Sequence, residues 1–209
     1  GARMYDPKYG IRWTGVDPLA EKYLNLSPYA YCMGNPIKFV DPNGEKIYFA
    51  PGVSQEFMDK FALTIQYMNE RGSAGDIAIL EKSHNIYWIS EGDAHFNSRT
   101  NTISWNPQQI LKTDKDIYIF PATILAHEVR HGRQKEEKTA VEFQEQSRKS
   151  KQNPYENDLE KEVISTTEQD AARKHGDISA NQTTRENHQG QLIEISTPEK
   201  LDLQRRIPA

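Results

Sequence analysis

The sequence predicts an α+β fold. Three observations carry this: short alternating apolar runs bounded by turn residues, an amphipathic stretch set among them, and two helix-compatible segments with start and stop signals in the second half. At 209 residues the chain holds one ordinary domain, or one domain plus a fragment. That length is enough to bury a core.

In chain order, residues 1–45 carry Tyr5-Asp6-Pro7, Val16-Asp17-Pro18, Asn35-Pro36 and Val40-Asp41-Pro42-Asn43-Gly44 around short aromatic pieces. Asp-Pro and Asn-Gly steps mark turns, so this part reads as irregular β segments and turns. Residues 46–50 read as a strand. Residues 54–71 read as a helix with Ser54 as N-cap, Gly72 as stop, and Phe57, Phe61, Leu63, Ile65 and Met68 as apolar positions. Residues 76–80 and 85–90 are expected to be strands. Asn97 to Asn101 is expected to form the turn of a hairpin that ends in 102–105. Pro121 opens a helix as a suitable first residue. From Gly132 to Gly176 the chain reads as polar and helical. The tail 177–209, rich in Asn, Gln, Thr and Arg, is expected to be partly disordered, with a β-like patch at 192–195.

Charged residues make up 27% of the chain and the net charge is −4. The pI near 5.9 and mean hydropathy of −0.82 argue against a dedicated nucleic-acid binder. No run approaches the roughly 18–20 apolar residues of a membrane span. The chain opens Gly-Ala-Arg without an initiator Met, and the expectation is a piece of a longer protein. The single cysteine, Cys32, rules out an intramolecular disulfide framework and a cysteine-rich zinc site. It lies far from every His and reads as a small packed side chain.

The helix opened by Pro121 contains His127-Glu128-Val129-Arg130-His131, an HExxH pattern. Residues i and i+4 of a helix lie about 5–6 Å apart on one face. Two imidazoles so placed can share one Zn²⁺. Ala122, Leu125 and Val129 form a core stripe, and Thr123, His127 and His131 lie on roughly the opposite face. Glu128 is the candidate general base for an attacking water. The bland alternative is a polar helix with two solvated histidines.

Zinc needs a third protein ligand. Gly and His three and six residues after the second His would mark a metzincin. Gln134 and Glu137 stand there, so that class is excluded. A later helix is expected to begin with Asn153 as N-cap, Pro154 at N1 and Glu156 at N3, and to run to about His175 before Gly176. Its apolar stripe is Glu160, Val163, Ile164, Thr167 and Ala171. A carboxylate in such a stripe is costly unless paired or metal-bound, so Glu160 is the candidate third ligand; the alternative is a carboxylate at the rim of the stripe. Glu162, about 200° away, should face water. Glu168, about 80° away, is either a partner that orients a ligating His or a surface charge.

Two family resemblances follow from these residues. Gly1-Ala2-Arg3-Met4-Tyr5-Asp6-Pro7, Asp17-Pro18-Leu19-Ala20, Ser27-Pro28-Tyr29-Ala30-Tyr31-Cys32 and residues 35–44 resemble the C-terminal end of an Rhs repeat-associated core. That resemblance implies that residues 1–45 are the remnant of a larger β-rich Rhs shell and that residues 46–209 are an effector payload, very often a toxin. It also implies a secreted or delivered protein acting inside a target cell, and a cognate immunity protein. Some members cleave themselves at paired Asp-Pro-x-Gly motifs; here Asp17-Pro18 is followed by Leu19-Ala20.

Residues 121–131 together with Leu159-Glu160-Lys161-Glu162-Val163-Ile164 and Glu168 resemble the zinc metallopeptidase toxins of bacterial effectors, over roughly residues 100–175. That implies a zincin-like domain with a small sheet, an active-site helix and a second helix bearing Glu160 as a Zn²⁺ ligand. It implies a protein or peptide substrate aligned along an edge strand at Ile103, Ser104 and Trp105. Zincins often add an oxyanion stabiliser, for which Tyr155, Arg173, His175 and His188 are all candidates; each reads more simply as an ordinary surface or helix-end residue. The rival readings are a metal-dependent nuclease toxin and a non-catalytic binding module.

Overall fold

A computed structural model of the chain describes residues 5–6, 12–13 and 47–194. The chain divides into two units, Gly1–Glu45 and Lys46–Ala209. In the first, β1 (Tyr5–Asp6) pairs antiparallel with β2 (Arg12–Trp13). The turns expected at Asp17-Pro18, Asn35-Pro36 and Asp41 to Gly44, together with Cys32 and residues 195–209, lie outside the described residues.

The second unit is α+β. Strand β3 (Ile47–Phe49) leads to helix α1 (Gln55–Glu70). The Ser54 hydroxyl caps α1 by accepting the Phe57 N–H at 3.1 Å. Phe57, Phe61, Thr64 and Met68 recur along one face and are buried. Gly72, at φ +70°, takes the left-handed conformation just beyond the helix. Helix α2 (Gly75–Glu81) then precedes β4 (Tyr87–Glu91), β5 (His95–Asn97) and β6 (Thr102–Trp105). The strand order is β3-β4-β6-β5, with β3, β4 and β6 parallel and β5 antiparallel to β6. Asn97 closes the β5–β6 turn by accepting the Arg99 N–H through its side-chain oxygen at 3.0 Å.

Helix α3 (Pro121–Glu137) lies at the centre. Every residue from Pro121 to Val129 is buried, so both faces of the helix are covered. Tyr87, Ile89, Ile103 and Trp105, from alternate positions of β4 and β6, share the core with Leu125 and Val129. Trp105 Nε1 donates to the Pro121 carbonyl at 2.8 Å and fixes where the helix starts. Its indole also packs against Phe57 and Phe61, with centroids 5.8 and 6.1 Å away. Gly132 permits close packing: a Cβ there would stand 2.9 Å from Leu80 Cδ1 and 3.2 Å from Tyr87 Cε1.

A second sheet has the order β8-β7-β9, built from β7 (Gln109–Thr113), β8 (Tyr118–Ile119) and β9 (Gly190–Glu194). Both partners run antiparallel to β7. After α3 come α4 (Ala140–Gln146), α5 (Asp158–Val163), a π-helical turn (Ile164–Glu168) and α6 (Gln169–His175), closed by Gly176 at φ +80°.

Several expectations are corrected. Residues 76–80 are helical, not a strand. Ile77 and Leu80, three apart, are buried, while Ile79 is 40% exposed. A short apolar run does not reveal its period. Residues 147–157 are non-helical, so the expected start of the later helix at Asn153 shifts by four residues. The later helix starts at Asn157, whose side chain accepts the Glu160 N–H at 2.9 Å; Asn153 only caps a turn. Glu156 adopts φ +69° and pairs with Lys149 instead of closing a capping box. Glu162 is half-buried between Arg130 and Lys138, not turned to water. Within the tail, residues 177–194 are packed: Thr184 and Arg185 are buried, and β9 joins β7.

Candidate metal centre

Helix α3 supplies His127, Glu128 and His131, and α5 supplies Glu160. The structure gathers His127, His131 and Glu160 so that one donor atom of each lies within 4.8 Å of the others. The two Nε2 atoms are 3.2 Å apart. Glu160 Oε2 is 3.2 Å from His127 Nε2, and Oε1 is 3.1 Å from His131 Nε2.

Hydrogen bonds at the far side of each ring decide what those nitrogens can do. His127 Nδ1 lies 2.8 Å from Glu168 Oε2. A carboxylate only accepts, so Nδ1 carries the proton. His131 Nδ1 lies 2.9 Å from Gln134 Oε1, and Gln134 Nε2 donates to the Leu159 carbonyl, which fixes the amide orientation. Nδ1 is the donor there too. Both Nε2 atoms therefore face one spot, and once a cation displaces the Nε2 proton the neutral imidazoles can bind it there.

The fit to a metal ion can be tested by distance. Tetrahedral bonds of 2.0–2.1 Å place ligand atoms about 3.3 Å apart, and the three separations here are 3.1–3.2 Å. Glu160 Oε2 is also buried without an aligned hydrogen-bond donor. A buried oxygen of that kind is costly unless a cation compensates it. The His127, His131 and Glu160 group can hold a metal ion.

Burial opposes charge on His127, but its contacts with Glu160 and Glu168 outweigh this and raise its pKa to about 10. Burial likewise works against the Glu160 carboxylate, and the two imidazoles more than reverse it, holding its pKa far below the usual range. Glu168 is 1% exposed. Burial raises its pKa, while His127 and Arg185 bring it down to about 2. A divalent cation at this site competes with the proton on His127.

Glu168 is held from behind. Arg185 Nη2 donates to its Oε2 at 2.6 Å, and the Thr184 hydroxyl donates to Oε1 at 2.6 Å. Arg185, Thr184 and Gln134 were not identified from the sequence. Gln134 sits one turn after His131, a signal that could have found it. Arg185 lies in a polar tail, where no local pattern marks it.

Glu128 borders a cavity together with His127, Glu168, Arg185 and His188. Of the four candidate oxyanion residues only His188 lines that cavity; its Nε2 lies 3.4 Å from Glu160 Oε2 and its Nδ1 3.3 Å from Glu156 Oε1. His175 is buried, bonded to Ser73 Oγ and Thr123 Oγ1 at 2.7 Å each. Arg173 is exposed and donates to the Gln182 carbonyl. Tyr155 is half-buried in the turn before α5. The edge-strand expectation is also corrected. Strand β6 lies between β4 and β5, Ile103 and Trp105 are buried, and Ser104 bonds Ser90 at 2.7 Å. The sheet edge on that side is β5.

No helix among the described residues is long and apolar enough to cross a membrane. No family model matches the chain, and no curated protein or solved structure is significantly similar to it.

Proposed function

We propose that residues 46–209 form a zinc-dependent metallopeptidase of zincin-like architecture, and that the chain is the C-terminal effector part of an Rhs-type toxin. One observation carries the enzymatic reading: two imidazole lone pairs and a carboxylate converge at tetrahedral spacing, and Glu128 stands beside them on a cavity. The toxin reading rests on the resemblance of residues 1–44 to an Rhs core end.

His127, His131 and Glu160 hold the zinc in this reading. Zinc supplies Lewis acidity toward a carbonyl oxygen and toward water. Glu128 removes a proton from the attacking water and hands it to the leaving amine nitrogen. The carboxylate suits that work because it makes no hydrogen bond or ion pair with any described residue. Glu168, clamped by Arg185, holds the His127 ring and its tautomer. His188, on the cavity wall, is the candidate donor to the developing oxyanion in this reading. Strand β5, at the sheet edge, is the candidate to align an extended peptide.

The test is expression inside a bacterial cell with peptide hydrolysis measured in parallel. The chain is expected to be toxic and to cleave peptides. Glu128→Gln should retain its metal and lose at least about a hundredfold in cleavage, as expected of a general base. Nucleic-acid degradation that survives Glu128→Gln would replace this reading with a nuclease.

A further inference from the structure

The cavity beside Glu128 has a two-part lining. Its polar side is His127, Glu128, Glu168, Arg185 and His188. Its other side is apolar and comes from four elements and a loop. Ile124 lies one turn before Glu128 on α3; Leu111 is from β7, Ile119 from β8, Leu192 from β9, and Ala94 from the loop leading to β5. The volume is about 190 Å³, larger than the roughly 150 Å³ apolar cavity that takes up benzene.

The polar lining offers little to a charged guest. Arg185 and Glu168 are paired with each other at 2.6 Å, and His127 is engaged by Glu160 and Glu168. That leaves His188, whose ring nitrogens face Glu156 and Glu160 at 3.3 and 3.4 Å, and the Glu128 carboxylate, which would repel an acidic side chain. Glycine at residue 190 favours the close approach of β9 to β7. A Cβ there would stand 2.6 Å from Leu111 Cδ1 and 3.3 Å from the Lys112 carbonyl oxygen. Strand β9 therefore lies close on β7 and presents Leu192 to the cavity, opposite Leu111 in register.

We infer that this cavity is a specificity subsite that takes an aliphatic or phenyl side chain of a peptide residue flanking the scissile bond. The inference rests on the peptidase reading. The guest's apolar carbons replace water against Leu111, Ile119, Ile124 and Leu192, while its backbone stays beside Glu128. Each methylene buried in such a pocket is worth about tenfold or more in selection. Leu, Ile, Met and Phe should therefore exceed Gly and Asp by at least about tenfold.

The test uses a randomised peptide library with two readouts. One is the set of cuts made by the zinc-loaded chain. The other is the set of peptides captured by the zinc-loaded Glu128→Gln variant, which needs no turnover. Both are repeated with Ala94→Trp, which fills the cavity from its half-exposed rim, and Leu192→Asp, which places a charge on the wall at a position 37% exposed. Melting temperature and zinc content are measured to show that the variants fold and load. The expected result is a position next to the cut dominated by Leu, Ile, Met or Phe, with that preference lost in Ala94→Trp and reduced in Leu192→Asp. Cuts without apolar preference, or a preference unchanged by folded Ala94→Trp, would overturn the subsite and leave the peptidase standing. Capture of apolar peptides without any cutting by the unmutated chain would keep the subsite and remove the peptidase. The absence of both cutting and capture would overturn the subsite proposal.

Discussion

Glu168 is the residue on which the proposed centre most depends without touching the ion. Its carboxylate accepts from His127 Nδ1 and from Arg185 and Thr184, and it is 1% exposed. Glu168→Gln keeps the shape but removes the charge that holds the His127 tautomer. Zinc affinity is expected to fall 10–100-fold, as measured by competition with a chelator of known affinity. A change under twofold would show that Glu168 does not support the site. At this scale legibility tracked locality. The HExxH spacing is a local relation on one helix, so His127, Glu128 and His131 were readable together. Glu160 stood out as a carboxylate in an apolar stripe. Arg185 reaches Glu168 across seventeen residues, from a segment whose composition reads as disordered, and nothing local marks such a contact.

The second helix shows why Glu168 could not be placed from a regular wheel. On a straight α-helix it lies about 80° from Glu160. The turn Ile164–Glu168 is π-helical, and one π turn absorbs an extra residue, which brings Glu168 to within about 20° of Glu160. Both carboxylates then reach His127, one at each ring nitrogen. Thr166 is exposed in that turn and bonds back to the Glu162 carbonyl. Deleting Thr166 should regularise the helix, keep the two carboxylates in register, and leave zinc stoichiometry near that of the unmutated chain. Inserting one alanine at the same place should turn Glu168 about 100° away and lower zinc occupancy. Equal occupancy in both variants would contradict the register argument. The misread α2 and the sheet edge share a cause: a short apolar run, or a strand's neighbours, are settled by tertiary packing. The caps were legible where one residue sufficed, as with Ser54, and misplaced where Asn153 and Asn157 competed.

Across the whole molecule, α6 is locked to the start of α3 through buried His175, which joins Ser73 and Thr123. Burial, then the nearby Arg71 and Lys174 charges, push its pKa down from 6.5 to about 4. The unfolded chain takes up that proton near pH 6.5 and the folded chain only near pH 4. This contribution to stability is complete above pH 6.5 and is lost as pH falls toward 4. Between pH 7 and pH 4.5, the unmutated chain should lose roughly 2 kcal/mol more than His175→Gln, read from urea unfolding at the two pH values. Parallel losses would show that His175 does not titrate in this way. The α+β class was legible because alternation, caps and the Pro121 start are local. The second sheet was not, because β9 comes from the tail and β7 from a segment whose alternation is weak.

The measurement that tests the central claim most directly is quantitative metal analysis of the purified chain beside Glu160→Ala. The account predicts close to one zinc per chain, lost or much weakened in the variant while the fold is retained. No zinc after reconstitution, or zinc held equally by both proteins, would contradict the three-ligand centre.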